Sequence, residues 1–400
     1  MTATTDLFCE LARIPSPSLQ EDKVAEHILS LFEEWGVTAK RDDYGNVCAH
    51  IEATDKTKSP LMLSAHMDVV GDSSPVNIIK ENNIIKTDGK RTLGADDKAG
   101  VTAAMMLAKT IIENKDLRHG GLEIVFTRDE EQNMSGARAL PLEQFKSEYI
   151  LVLDSDRLGD FKISGAGYTK MTLSVKAFKG GHSGIDIADT DRVNAVKLIT
   201  EIMAELPQGV YYKDETGVVT SINAGAVIGG GVKNLPTDKQ GTDFALFLTE
   251  QAMSNIINTD AFALYSIRSS DKAKEAALTR EIQDKVAAFN KKYDGKASFS
   301  AKFEEHAPPF EKSSDTYMIE TAKKAAEKVG IALDVSSFHA GAETHLYAHR
   351  KNADGKTFKP YLVGAANVHN MHSASEFVEV DSMEKGFELI KALFYTFNAL

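Results

Sequence analysis

Three short, mainly apolar runs, 61–67, 122–127 and 149–153, each end at a cluster of His or acidic residues: His66 with Asp68, Asp129 with Glu130 and Glu131, and Asp154 with Asp156. Runs of this length, bounded by polar punctuation, suit strands buried on both faces, as in parallel sheets covered by helices. A further run at 46–51 and helical spacing over 24–35 and 99–112 complete the pattern. Together they predict an α/β layer with a mostly parallel sheet. Open sheets of this class gather ligands at strand ends, where these polar clusters fall.

From Tyr168 the texture changes. Met171, Leu173, Val175 and Ala177 alternate with polar residues as in a half-exposed strand, and Val193, Val196, Ile199, Met203 and Leu206 then follow a helical stripe. Strands at 218–227 and 261–267, a helix at 272–291 and a strand at 298–303 give the order βαββαβ, a ferredoxin-like plan. The α/β texture then returns: a helix at 316–329 with Ser313 and Ser314 available as caps, a strand at 361–363 and a closing helix at 383–400. Gly165 to Gly167 and the Pro308–Pro309 pair mark the joints.

Composition narrows the function classes. The 400 residues carry 46 basic and 58 acidic side chains, a net charge of −12. That sign argues against sequence-independent grip on nucleic-acid backbones or anionic membranes. No stretch approaches the roughly 18 apolar residues of a membrane span. Cys9 and Cys48 are too few for a disulfide framework and lack a paired metal-ligand spacing. The opening residues lack the basic start and apolar block of an export signal. The expectation is a soluble, cytoplasmic protein with neither nucleic-acid nor membrane partner.

The chemistry resides in five segments. On a strand His66 and Asp68 face one side, so Asp68 can hold one ring nitrogen and leave the other for a metal. Asp96 and Asp97 precede the 99–112 helix; Asp97 suits a cap and Asp96 is free to face a cation. Glu130 and Glu131 are adjacent acids that splay apart, Asp154 ends a strand, and His372 lies near the end of the chain with His369 as a rival. Singly, each has an ordinary alternative: a core histidine, a helix cap, a solvated loop. Jointly they provide two histidines and several carboxylates without a thiolate, the ligand set of a hydrolytic Zn, Co or Mn site.

In this order the segments SAHMD, GADDKAG, DEE, VLDSD, GGHSG and MHSASEF resemble the co-catalytic zinc metallopeptidases, whose members include peptidase T, carboxypeptidase G, aminoacyl-histidine dipeptidase and aminoacylase. The resemblance implies a mixed-sheet catalytic domain, 1–165 and 308–400, interrupted by a ferredoxin-like lid and dimerisation domain, 166–307. The insertion follows from His372, which comes after the lid yet must join ligands that precede it. It also implies two divalent ions per chain, zinc with cobalt or manganese as alternatives. His66 and Asp154 would hold one, Glu131 and His372 the other, and Asp96 would bridge them, with a cis bond between Asp96 and Asp97. Glu130 becomes the general base and Asp68 the partner of His66. His182, reaching across a homodimer, would stabilise the oxyanion, while Asn234 and Arg268 would bind substrate. The implied activity is hydrolysis of short peptides by a di- or tripeptide exopeptidase, with a tripeptide aminopeptidase foremost. The alternatives are an N-acyl amino acid amidohydrolase of the same fold and a metal-binding protein without turnover. Two departures leave substrate choice open: a long segment from Asn234 to Arg268, and the loop His339 to Glu343, which is closer to the dipeptidase branch.

Overall fold

The computed structural model describes residues 2–215, 217–230, 241–251 and 253–399. The chain divides into two compact units, Met1–Gly165 with Phe310–Leu400, and Ala166–Pro309.

The first unit is built on eight strands: β1 (Thr38–Arg41), β2 (Val47–Ile51), β3 (Leu61–His66), β4 (Leu122–Thr127), β5 (Tyr149–Ser155), β6 (Asp160–Gly165), β7 (Asp334–Phe338) and β8 (Lys359–Gly364), in the order β1-β2-β4-β3-β5-β8-β6-β7. The sheet is mixed. β3 runs parallel to β4 and β5, and β5 parallel to β8, while β1–β2, β2–β4 and β6–β8 are antiparallel. All six residues of β3 and all six of β4 are buried, because both faces are covered. Leu63, Ile124 and Leu151 join one core with Ile28, Phe32, Leu107, Met318 and Leu393 from the flanking helices. Met62, Val125, Ile150 and Val152 pack on the other face with Leu142 and Tyr347. Because β3, β4 and β5 are parallel and adjacent, His66, the Glu130–Glu131 pair and Asp154 all emerge at one edge of the sheet.

A second, four-stranded antiparallel sheet (Ile78–Glu81, Ile84–Thr87, Val368–His369, Phe377–Glu379) was not expected from the sequence. Its last two strands pair with each other and hold His372 in the loop between them. At the start of the Tyr317–Lys328 helix the expected caps are corrected. Asp315 Oδ1 accepts from the Tyr317 amide (2.9 Å), whereas Ser313 Oγ accepts from the Asp315 amide (3.1 Å), so Asp315 closes the helix and Ser313 closes Asp315. No helix among the described residues is long and apolar enough to cross a membrane.

The second unit is a five-stranded antiparallel sheet in the order Gly209–Lys213, Val219–Gly229, Asp260–Ser269, Gly167–Ala177, Ala297–Ala307. Helices Ala195–Glu205 and Lys272–Lys292 bury Leu198, Ile199, Ile202, Leu278 and Ile282 against Met171, Leu173, Val175 and Ala263. This is the βαββαβ order with additions that include the edge strand Gly209–Lys213, the helix Gly241–Gln251 and the paired two-residue strands Gly181–His182 and Ile256–Ile257. The helix accounts for part of the long segment between Asn234 and Arg268.

Candidate metal centre

His66 terminates β3 with its side chain almost fully buried. Its Nδ1 lies 2.9 Å from the backbone carbonyl of Asp68 and 3.5 Å from Asp68 Oδ1. The nitrogen that the sequence assigned to the Asp68 carboxylate is therefore held chiefly by that residue's carbonyl. The carboxylate faces the next loop: Oδ1 accepts from the Glu130 amide (2.9 Å), and Oδ2 from the Glu131 amide (3.1 Å) and the Ser18 hydroxyl (2.7 Å). Asp68 thus ties the strand carrying His66 to the turn carrying both glutamates.

With Nδ1 occupied, His66 Nε2 points at Asp96 Oδ1 (3.2 Å) and Asp154 Oδ1 (3.6 Å). On the other side of Asp96, its Oδ2 is 3.0 Å from His372 Nε2, which is also 3.0 Å from Glu131 Oε2. Two groups result, His66–Asp96–Asp154 and Asp96–Glu131–His372, each with its ligand atoms within 4.8 Å of one another. Asp96 belongs to both and gives one carboxylate oxygen to each.

Local backbone explains how Asp96 reaches this position. Gly94 has φ +75°, and a Cβ there would lie 2.6 Å from Val69 Cγ1, so only glycine fits the turn into the helix. The Asp96–Asp97 peptide is cis. Asp97 Oδ1 accepts from the Gly100 amide (3.0 Å) and Oδ2 from the His66 amide (3.2 Å), so this acid caps the helix and is buried beneath the site. Glu376 supports the other side: Oε1 accepts from the Asp96 amide (3.2 Å), and Oε2 from the Gly94 amide (2.9 Å) and the Thr92 hydroxyl.

Electrostatics fit a cation. Burial pushes Glu131 up to about 7 and Asp154 up to about 6, with Asp96 adding to both shifts. Burial would lower the His66 pKa, but Asp154, Asp68 and Asp96 together hold it well above its ordinary value. His372 is raised to about 9, first through Asp96. These clustered acids demand positive charge, and Glu131 Oε1 is buried without a hydrogen-bond partner among the described residues. Divalent ions between the same nitrogens and oxygens would meet that demand, so the donor set fits a pair of them.

Glu130 starts a four-residue helix, half-buried, and burial followed by Asp154 raises its pKa well above the ordinary carboxylate value. The rival His369 is engaged elsewhere, stacked on Phe377 (4.5 Å between centroids) and 2.8 Å from Glu379 Oε1. Two supporting acids escaped sequence reasoning. Glu376 lies inside the quoted MHSASEF segment, and Glu343 ends the flagged loop. Glu343 is 1% exposed, accepts from Tyr347 (2.9 Å) and Ser64 (3.2 Å), and is pushed up to about 7 by burial. A broad groove along β1 and β2, lined by Lys40, Tyr44, His50 and Lys356, contains none of these ligands, whereas a small hollow is lined by Asp96, Asp97 and Asp154.

In the second unit His182 is exposed on a two-residue strand paired with Ile256–Ile257. Its Nδ1 accepts from the amides of Gly184 (3.1 Å) and Ile185 (3.3 Å), which places the ring proton on Nε2. Arg268 is half-buried on the Asp260–Ser269 strand. Asn234 lies outside the described residues.

A model described as Peptidase family M20/M25/M40 matches residues 62–396. The chain is 25% identical to the Bacillus subtilis protein YqjE over 396 residues, covering 96% of each chain. It is 26% identical to a Bacillus cereus peptidase T over 403 residues, covering 90% of this chain and 86% of the relative. Among solved structures, an aminopeptidase PepT from Bacillus cereus superposes with a TM-score of 0.82 at 22% identity, covering 98% of both chains.

Proposed function

This chain is a member of peptidase family M20/M25/M40, and from that premise we propose that it is an exopeptidase that releases the N-terminal residue of short peptides, tripeptides foremost, using two divalent ions. Zinc is the first choice, cobalt and manganese the alternatives. The observation that carries the reading is Asp96, whose two oxygens face two separate His-and-carboxylate groups.

Such a pair of ions, when bound, supplies a water of lowered pKa and polarises the scissile carbonyl. His66 and Asp154 would hold one, Glu131 and His372 the other. The chain's own residues do the rest. Glu130, its backbone pinned by Asp68, takes a proton from the attacking water and returns it to the leaving amine. His182 offers Nε2–H as a donor for the oxyanion, in keeping with the two amides on its Nδ1. In this reading it does so across a homodimer joined through the second unit. Arg268 takes the substrate carboxylate with its planar fork and Asn234 assists binding. A cytoplasmic location belongs to the same reading, in keeping with two free cysteines.

The test is a panel of di- and tripeptides against N-acyl amino acids, each with added Zn, Co or Mn. The expected result is cleavage of tripeptides with a free amino terminus and little turnover of N-acyl amino acids. The reverse pattern would assign the site to the amidohydrolase chemistry, and no turnover of either class under any metal would leave a metal-binding protein.

A further inference from the structure

We propose that Tyr168 is a positioning residue for Arg268, holding the guanidinium by its ring so that the fork is presented to the carboxylate of a peptide substrate. The inference rests on the reading of Arg268 as the carboxylate ligand.

The sheet of the second unit has a helix-covered face and an open one. On the Gly167–Ala177 strand Met171, Leu173 and Val175 are buried, and Thr169 Oγ1 donates to Glu275 on the Lys272–Lys292 helix (2.6 Å). Tyr168 therefore faces the open side. On the neighbouring strand Ala263, Tyr265 and Ile267 are buried, which puts Arg268 on the open side too, directly opposite Tyr168 in the register. The Arg268 guanidinium lies 5.0 Å from the centroid of the Tyr168 ring. On the third strand the pairing slips between Glu305 and Ala307, leaving His306 as the extra residue of a bulge. Its ring stacks on Tyr168 at 5.2 Å and 28°. Tyr168 is thus flanked by Arg268 from one strand and His306 from the other.

Among the described residues Arg268 has this aromatic partner and no hydrogen-bond acceptor or carboxylate. That combination suits ligand binding. An aromatic face fixes the plane of a guanidinium while its N–H groups, which lie in the plane, stay unspent. A fork held in this way loses less freedom when it closes on a carboxylate than a free arginine does.

The test compares trialanine with its C-terminal amide on five proteins: wild type, Tyr168→Leu, Tyr168→Phe, Arg268→Ala and the Tyr168→Leu/Arg268→Ala double variant. Tyr168→Leu should raise KM for the free acid about three- to tenfold, the range of one cation–π contact, with kcat and the amide little changed. Tyr168→Phe keeps the ring face and should restore the wild-type KM. In the Arg268→Ala background, Tyr168→Leu should add nothing, because both changes remove the same contact. The positioning role of Tyr168 is refuted if Tyr168→Leu harms acid and amide equally, if Tyr168→Phe behaves like Tyr168→Leu, or if the double substitution is additive. Those results, with Arg268→Ala still selective for the acid, remove the role of Tyr168 alone. An Arg268→Ala effect equal on acid and amide removes the carboxylate reading itself and the role of Tyr168 with it.

Discussion

Glu130 and Glu131 are neighbours in the chain with opposite assignments, which makes them the sharpest comparison available at single residues. Glu131 Oε2 lies 3.0 Å from His372 Nε2 inside a ligand group, whereas Glu130 belongs to neither group. Glu130→Gln should therefore keep both ions and the fold while kcat falls about 10²- to 10⁴-fold, the usual loss for a general base. Glu131→Gln should instead weaken one ion, seen as a second, looser phase in a metal titration. Equal metal affinity for the two variants would reverse the assignment. At this scale residue type and position in the chain singled out His66 and Asp154, on strands, and Asp96, at a helix start, and these three side chains lie together. The sequence was not legible where a role depends on a distant backbone. Nothing near residue 376 announces that Glu376 will accept from the amides of Gly94 and Asp96, and alternation along a strand does not say that the Asp68 carbonyl will be nearer to His66 than its carboxylate.

Secondary-structure elements are tested best where they touch. Gly386 lies inside the Val380–Phe397 helix, where alanine normally stabilises by about 0.5–1 kcal/mol. Here a Cβ would sit 1.6 Å from the Ala365 carbonyl oxygen, at the strand-to-loop exit of β8, so backbone must separate. Gly386→Ala should destabilise by about 3 kcal/mol, read from urea unfolding; a stabilised variant would mean that the helix rides higher than described. Asp315 gives a pH-dependent case. Lys359 Nζ and the Tyr149 hydroxyl both meet its Oδ2 at 2.5 Å, joining the start of the Tyr317–Lys328 helix to β8 and β5. Lys359 first, then Tyr149, lower its pKa from 3.8 to about 2. A depressed carboxylate contributes in full above its unfolded pKa and loses that contribution as pH falls through the folded one. Asp315→Asn should thus cost about 1 kcal/mol at neutral pH, allowing for partial exposure, and the gap from wild type should close as pH falls from about 4 toward 2. A gap unchanged across that window would exclude the pairing. Elements with clean periodicity, such as the Gly167–Ala177 strand, were legible. β7 was not, because Asp334–Phe338 is a half-buried edge strand whose DVSSF sequence alternates in neither sense.

For the whole molecule, the insertion was expected from His372, which follows the βαββαβ stretch; the compact units divide after Gly165 and again before Phe310. What composition could not reveal was the small sheet that carries His372, since its strands are two to four residues long and the pairing that joins its two halves, Phe377–Glu379 with Ile84–Thr87, spans almost three hundred residues. The homodimer reading is tested by mixing Glu130→Ala chains with His182→Ala chains under conditions that exchange subunits. If His182 serves the neighbour's site, each mixed dimer regains one working site and activity rises to roughly one quarter of wild type. No recovery, with mixed dimers demonstrated, would confine His182 to its own chain. The central claim is the pair of ions shared by Asp96, and the direct measurement is to titrate metal-stripped protein with zinc, cobalt or manganese while following bound ions per chain together with tripeptide hydrolysis. Two ions per chain should bind, with hydrolysis absent before metal is added and appearing as the sites fill. A stoichiometry that never exceeds one in a fully active preparation, or hydrolysis that survives exhaustive chelation, would contradict it.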